Sequence, residues 1–260
     1  MTHVMVPDGV FPWWLSAAGW ALALALLAFA TWRLRGVPAA RRVPLVGVTT
    51  ALMVVIMSFE LVPIGYELHF TTLTGIIVGP WYGAVAALIF NLLRALLGDG
   101  AFTNIGLNTV ITWIEIALGA ALFAALRPLA RRRRPALAAG AATFVGLLLA
   151  TLVFIGVVGL STIDPAEAIH TGAYDVEAGG FKDRPLSEGL VGLRLAEERE
   201  PRGASAGRAE RAGFGRFAVA LLALGLIGWT IEAALVGAVA AFIARVRPDL
   251  LGLRSPPDGL

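Results

Sequence analysis

Residues 69–108 read HFTTLTGIIVGPWYGAVAALIFNLLRALLGDGAFTNIGLN, and the fold turns on whether this run is one membrane segment or two. It is apolar enough to lie in a bilayer. It also carries His69 at its head, a break at Gly79-Pro80, Asn91 and Arg94 inside an apolar run, and a Gly98-Asp99-Gly100 turn. Polar groups at membrane depth are costly unless they are paired or face the protein interior. A plain anchor has little use for them, so the run is a candidate for half of a site.

The rest of the chain supplies the setting. It is 58% hydrophobic and only 15% charged, against roughly 25% charged in soluble domains. The apolar residues come in long runs, which predicts an all-α, polytopic membrane protein forming a single domain over residues 1–260. The small net positive charge of +3 does not point to nucleic acid, since the arginines cluster in short loops and act as a topology signal. The first residues lack the basic region of a secretory signal. No Cys is present, so disulfides, thiolate metal sites and Cys nucleophiles are excluded. Neither GxSxG nor HExxH occurs, and without a GxxxxGK[ST] motif the chain is not an ordinary P-loop ATPase.

Charge bookkeeping then decides the central run. A first span of about Trp13–Trp32 ends on Arg33, Arg35, Arg41 and Arg42, which the positive-inside rule places in the cytoplasm. A second, about Pro44–Val62, ends outside at Pro63-Ile64-Gly65, with Glu60 read as an interfacial carboxylate. The next basic cluster, Arg127 with Arg131–Arg134, must also be inside, so an even number of crossings separates it from Arg42. One helix over 66–97 breaks that parity, whereas a turn at Gly79-Pro80 restores it. Pro at a helix start after a Gly that ends the previous helix suits such a turn. Tyr66–Val78 is short against the roughly 20 residues of a full span, which fits a partial or tilted segment packed inside the protein. Three spans follow the fourth (Trp81–Leu97), at about Thr103–Leu126, Pro135–Val158 and Phe217–Ala244. Residues 160–214, rich in Gly, Glu and Arg, read as a long outer loop. The expectation is about seven helices, N-terminus outside and C-terminus cytoplasmic.

Imidazole chemistry is limited to His3, His69 and His170. His170, in the long loop, is not read as a ligand. His69 alone would suit an ordinary interfacial histidine. His3 stands where a free terminal amine, deprotonated backbone amides and imidazole can chelate Ni(II) or Cu(II) in a plane, with Co(II) a weaker fit. With Met1 retained, His3 is third and the terminus fills four positions by itself. With Met1 removed before the small Thr2, the amine of Thr2, one amide and His3 give three ligands and leave a place for His69. Asn91 and Asn104 are read as interhelical hydrogen-bonding groups. Asn108, Glu115 and Glu232 are further polar groups in spans, and Glu232 must be paired or face inward.

Taken together, these residues resemble the substrate-binding membrane component of cobalt/nickel energy-coupling-factor (ECF) transporters, the CbiM/NikM family. The match rests on His3 with Pro7-Asp8-Gly9, on His69 followed by Gly79-Pro80-Trp81, Gly98-Asp99-Gly100 and Gly106-Leu107-Asn108, and on Arg247-Pro248-Asp249-Leu250. It covers about residues 3–127 and 217–250. Thr2 stands between Met1 and His3, where the family places His directly after Met, and 160–214 has no counterpart. The resemblance implies a seven-span ECF S-component fold whose N-terminal lead, residues 1–12, tucks into the bundle. It implies that the amine of Thr2, His3 and His69 hold Ni(II) or Co(II) as transported substrate, with no organic cofactor. Asn108, with Asn104, Asp99 and Glu232, would orient those ligands. It implies partners as well: a transmembrane coupling protein, two cytoplasmic ATPases that hydrolyse ATP, and a small accessory membrane protein, all at the cell membrane. Two other readings stay open: an S-component for an organic vitamin, and a membrane scaffold that binds no metal.

Overall fold

The computed structural model describes residues 13–37, 40, 42–57, 60–61, 66–97, 102–131, 134–160, 174–175, 180–181 and 214–253. The N-terminal lead with Thr2 and His3, the Gly98-Asp99-Gly100 turn, and most of 160–214 with His170 lie outside the described residues.

Helix dominates. The order is α1 (Trp13–Arg33), α2 (Arg42–Met57), α3 (Thr71–Val78), α4 (Pro80–Leu97), α5 (Ile105–Ala125), α6 (Arg127–Arg131), α7 (Pro135–Leu160) and α8 (Phe214–Val246), followed by a 3-10 turn at Pro248–Leu251. Among the described residues strand is confined to two small antiparallel pairs: β1 (Glu60–Leu61) with β2 (Tyr66–Glu67), and β3 (Tyr174–Asp175) with β4 (Gly180–Phe181). Among the described residues five helices are long and apolar enough to cross a membrane, within α1, α4, α5, α7 and α8. The chain is thus a multi-pass membrane protein. Large apolar side chains such as Leu24, Leu152, Val219 and Phe242 are exposed along these helices, as a lipid-facing perimeter requires.

Two of the seven expected spans come out differently. The second was expected to run from Pro44 to Val62, but α2 ends at Met57, and Glu60 lies in a hairpin with its Cα partner Glu67. The third was expected over Tyr66–Val78. Its first residues are spent on β2 and a short connection, leaving an eight-residue helix of about 12 Å, far less than the roughly 30 Å of a hydrocarbon core. α3 is a half-helix with seven of its eight residues buried. The break itself is where the sequence put it. Gly79 has φ 83°, open to glycine without strain, and its N–H caps α3 on the carbonyl of Gly75. Pro80 then opens α4 at the position where its missing N–H costs nothing.

α5 is the axis around which α1, α3, α4 and α7 pack. Small residues allow the close crossings. A Cβ at Gly106 would lie 2.5 Å from Trp20 Cα, and one at Gly19 2.7 Å from Leu107 Cβ. Gly119 meets Thr72 of α3, and Gly237 of α8 meets the Ala136 carbonyl of α7. In lipid, association rests on such backbone proximity rather than on hydrophobic burial.

The contacts also sort the helix ends. Arg42 donates from Nη1 to the Ile77 carbonyl at 2.9 Å. A cleft of about 370 Å³ beneath α3 is lined by Arg42, Gly79, Arg127 and Asp249, among others. Arg33 lies 5.5 Å from the Trp81 ring centroid at the start of α4. The arginine clusters therefore share one end of the molecule with Gly79-Pro80. The start of α1, with Ser16, and the start of α5, with Asn104, lie together at the other.

Candidate functional site

Between β2 and α3 the chain passes through Leu68, His69 and Phe70, all buried. A half-helix beginning inside the protein leaves its first backbone N–H groups without carbonyl partners and without water. Glu232, fully buried in α8, answers part of that demand. Phe70 donates its N–H to Glu232 Oε1 at 2.9 Å, and His69 donates its N–H to Oε2 at 3.4 Å. The His69 ring is on the same carboxylate, with Nδ1 4.0 Å from Oε2. Phe70 sits at φ 55°, ψ 26°, a left-handed conformation uncommon for a bulky residue. Its ring is held in the core cluster with Leu73 and Ile77, so the turn that presents His69 is fixed from both sides.

Further polar groups surround this entry. Arg94, buried in α4, reaches Glu67 of β2 at 3.7 Å, and its charge is close enough to act on the His69 imidazole. Glu115 of α5 is also buried, with Thr71 of α3 against it and Glu232 within electrostatic reach. Four elements, β2, α4, α5 and α8, thus converge on the start of α3. A charge at the bilayer centre costs on the order of 3 kcal/mol on insertion scales. Hydrogen bonds to a charged group contribute about 1.5–3 kcal/mol each. The two backbone bonds are therefore of the size needed to hold Glu232 where it is.

The expected site residues fall into three groups. His69 and Glu232 are brought together. Asn104 accepts at Oδ1 from Ser16 of α1 at 2.6 Å, while Trp20 Nε1 donates to the adjacent Thr103 carbonyl at 3.1 Å. Asn108 is buried one turn further along α5, where its N–H closes onto the Asn104 carbonyl. Thr2, His3 and Asp99 lie outside the described residues. Asn91 donates to Thr112 Oγ1 of α5 at 3.2 Å and to the Ala87 carbonyl at 2.8 Å, an interhelical bridge.

Sequence reading missed the Glu67–Arg94 pair, and it noted Glu115 without placing it against Thr71 at the start of α3. A signal for the pair was present. A buried guanidinium needs a carboxylate, and few carboxylates flank the apolar run. Among the described residues no group of three His, Cys, Asp or Glu side chains is arranged to hold a metal ion.

Residues 5–250 match the CbiM family model, described as the cobalt uptake substrate-specific transmembrane region. A protein of Archaeoglobus fulgidus, named as a fused nickel transport protein NikMN, is 29% identical over 163 residues, covering 60% of this chain and 52% of that protein. The chain thus spans about half the length of that curated relative. Two solved structures share the fold at 18% identity. A transition metal transporter superimposes with a TM-score of 0.67, covering 93% of each chain. A truncated transition metal transporter gives 0.63, covering 93% of this chain and 99% of the other.

Proposed function

Because the chain belongs to the CbiM family of cobalt-uptake transmembrane regions, we propose that it is the substrate-binding subunit of an ATP-driven ECF importer that captures Ni(II) or Co(II). The observation that carries this reading is His69: a buried imidazole at the head of a half-helix, its backbone and ring both set against Glu232. A ligating histidine needs a partner of this kind to fix its orientation.

The amine of Thr2 (after loss of Met1), the adjoining amide and His3 supply three nitrogens, and His69 completes a planar set. The charge pattern suits capture from outside, with the N-terminus outside and the C-terminus and arginine clusters in the cytoplasm. The family resemblance supplies the partners of this reading: a coupling protein, two cytoplasmic ATPases that supply the energy, and a small accessory membrane protein, assembled in the cell membrane; the absence of a GxxxxGK[ST] motif from the chain is in keeping with it. Family and relative between them name cobalt and nickel, and the donor set accepts either.

Calorimetric titration of nickel and cobalt into the purified protein tests the ligand set. One metal ion is expected per chain as made. His69→Ala, or an extension that blocks the terminal amine, should weaken binding at least a hundredfold. Unchanged binding with the amine blocked would overturn the chelate. Intact mass spectrometry of the same sample must show Met1 removed.

A further inference from the structure

We propose that the groove between α6, the start of α7 and the end of α8 is a binding site for an anionic membrane lipid, with the lipid phosphate held by Arg131, Arg134 and Arg245. The groove has a volume of about 990 Å³, and Ala241, Ala244 and Leu253 are among the residues that complete its wall. All three arginines are exposed. Among the described residues none of them has a carboxylate partner. The nearest acid in sequence to Arg245 is Asp249, and Arg247 takes both of its oxygens, from Nε at 3.0 Å and Nη2 at 2.9 Å. Three guanidinium groups around one cavity, with no carboxylate partner among the described residues, suit an anion, and a guanidinium fork matches phosphate oxygens in pairs.

Position selects the source of that anion. The groove lies where two membrane-length helices reach the arginine-bearing end, α7 beginning at Pro135 and α8 ending at Val246. Phe242, Val246 and Leu137, each next in sequence to a residue of the groove wall, are 65%, 59% and 58% exposed and offer apolar surface to acyl chains on the same helix ends. Basic pockets between helices at this level suit lipid headgroups.

Native mass spectrometry of the full chain in detergent, titrated with phosphatidylglycerol or with phosphatidylcholine of the same acyl chains, tests this. The wild type should retain phosphatidylglycerol selectively. R131Q/R134Q/R245Q should weaken that binding on the order of a hundredfold, about fivefold per arginine, while R33Q/R35Q, at the same end but outside the groove, should leave it unchanged. Arg245→Glu alone should act in the same direction if the triple variant does not fold. Equal loss in R33Q/R35Q, or equal binding of both lipids, would overturn the site. So would displacement of the lipid by millimolar inorganic phosphate. A triple variant that keeps phosphatidylglycerol but no longer co-purifies with its ATPase partners would reassign the groove to protein docking and also overturn it.

Discussion

Glu232 has no exposure in the middle of a membrane-length helix, and its two oxygens take up the backbone N–H groups of Phe70 and His69. Removing the carboxylate strands two buried donors at the head of α3, at roughly 1–3 kcal/mol each. It also frees a left-handed Phe70, a conformation that persists only where its surroundings over-determine it. Glu232→Ala is therefore expected to lower stability by about 2–5 kcal/mol and metal affinity by roughly 10- to 100-fold. Glu232→Gln keeps one acceptor oxygen and should lose less of both. Thermal unfolding and nickel titration on the two variants check this; an Ala variant that binds nickel like the wild type would detach Glu232 from the site. From sequence Glu232 was legible only as an expense needing a partner. That the partner is backbone was not, because those N–H groups are orphaned only by a helix starting at Thr71.

Helix α3 shows the same limit one level up. Its end was legible, since Gly79-Pro80 is a strong stop followed by a strong start. Its beginning was not: β2 and the three-residue connection consume Tyr66–Phe70 through tertiary pairing that no local pattern announces. The crossings offer a sharper contrast between local and tertiary cause. Gly106 and Gly47 are both helical glycines, and propensity alone says that Ala at either position gains about 0.5–1 kcal/mol. At Gly47 a Cβ meets nothing within 4 Å among the described residues. At Gly106 it would strike the backbone of Trp20, which cannot swing aside as a side chain can. Gly47→Ala is expected to be neutral or slightly stabilising. Gly106→Ala should destabilise by about 1–3 kcal/mol, in the range of overpacked cores, and loosen α1 from the start of α5. Thermal melts in detergent decide it, and equal effects at the two positions would contradict the crossing.

At the scale of the whole molecule the sequence argument was parity: arginine clusters must share a side, so an even number of segments must separate them. The packing meets that demand in an unexpected way, because a half-helix returns the chain to the arginine-bearing end as a full span would. Arg42 bonds to the last turn of α3, and Gly79, Arg127 and Asp249 line one cleft there. Which end faces the cytoplasm follows from charge alone, so it calls for a direct measurement. The absence of cysteine makes the native chain a ready background for one. Thr103 is exposed near the start of α5, whereas Gly36, Arg131 and Arg247 are exposed at the arginine-bearing end. In intact cells a membrane-impermeant maleimide is expected to label Thr103→Cys and to spare Gly36→Cys, Arg131→Cys and Arg247→Cys, which should react only after permeabilisation. The opposite pattern would turn the molecule over and place His69 on the cytoplasmic half, and a metal could then not be captured from outside. Labelling of one arginine-end position but not the other two would break the parity itself. Helix count and helix direction are thus separable from the metal chemistry, and each can fail without the other.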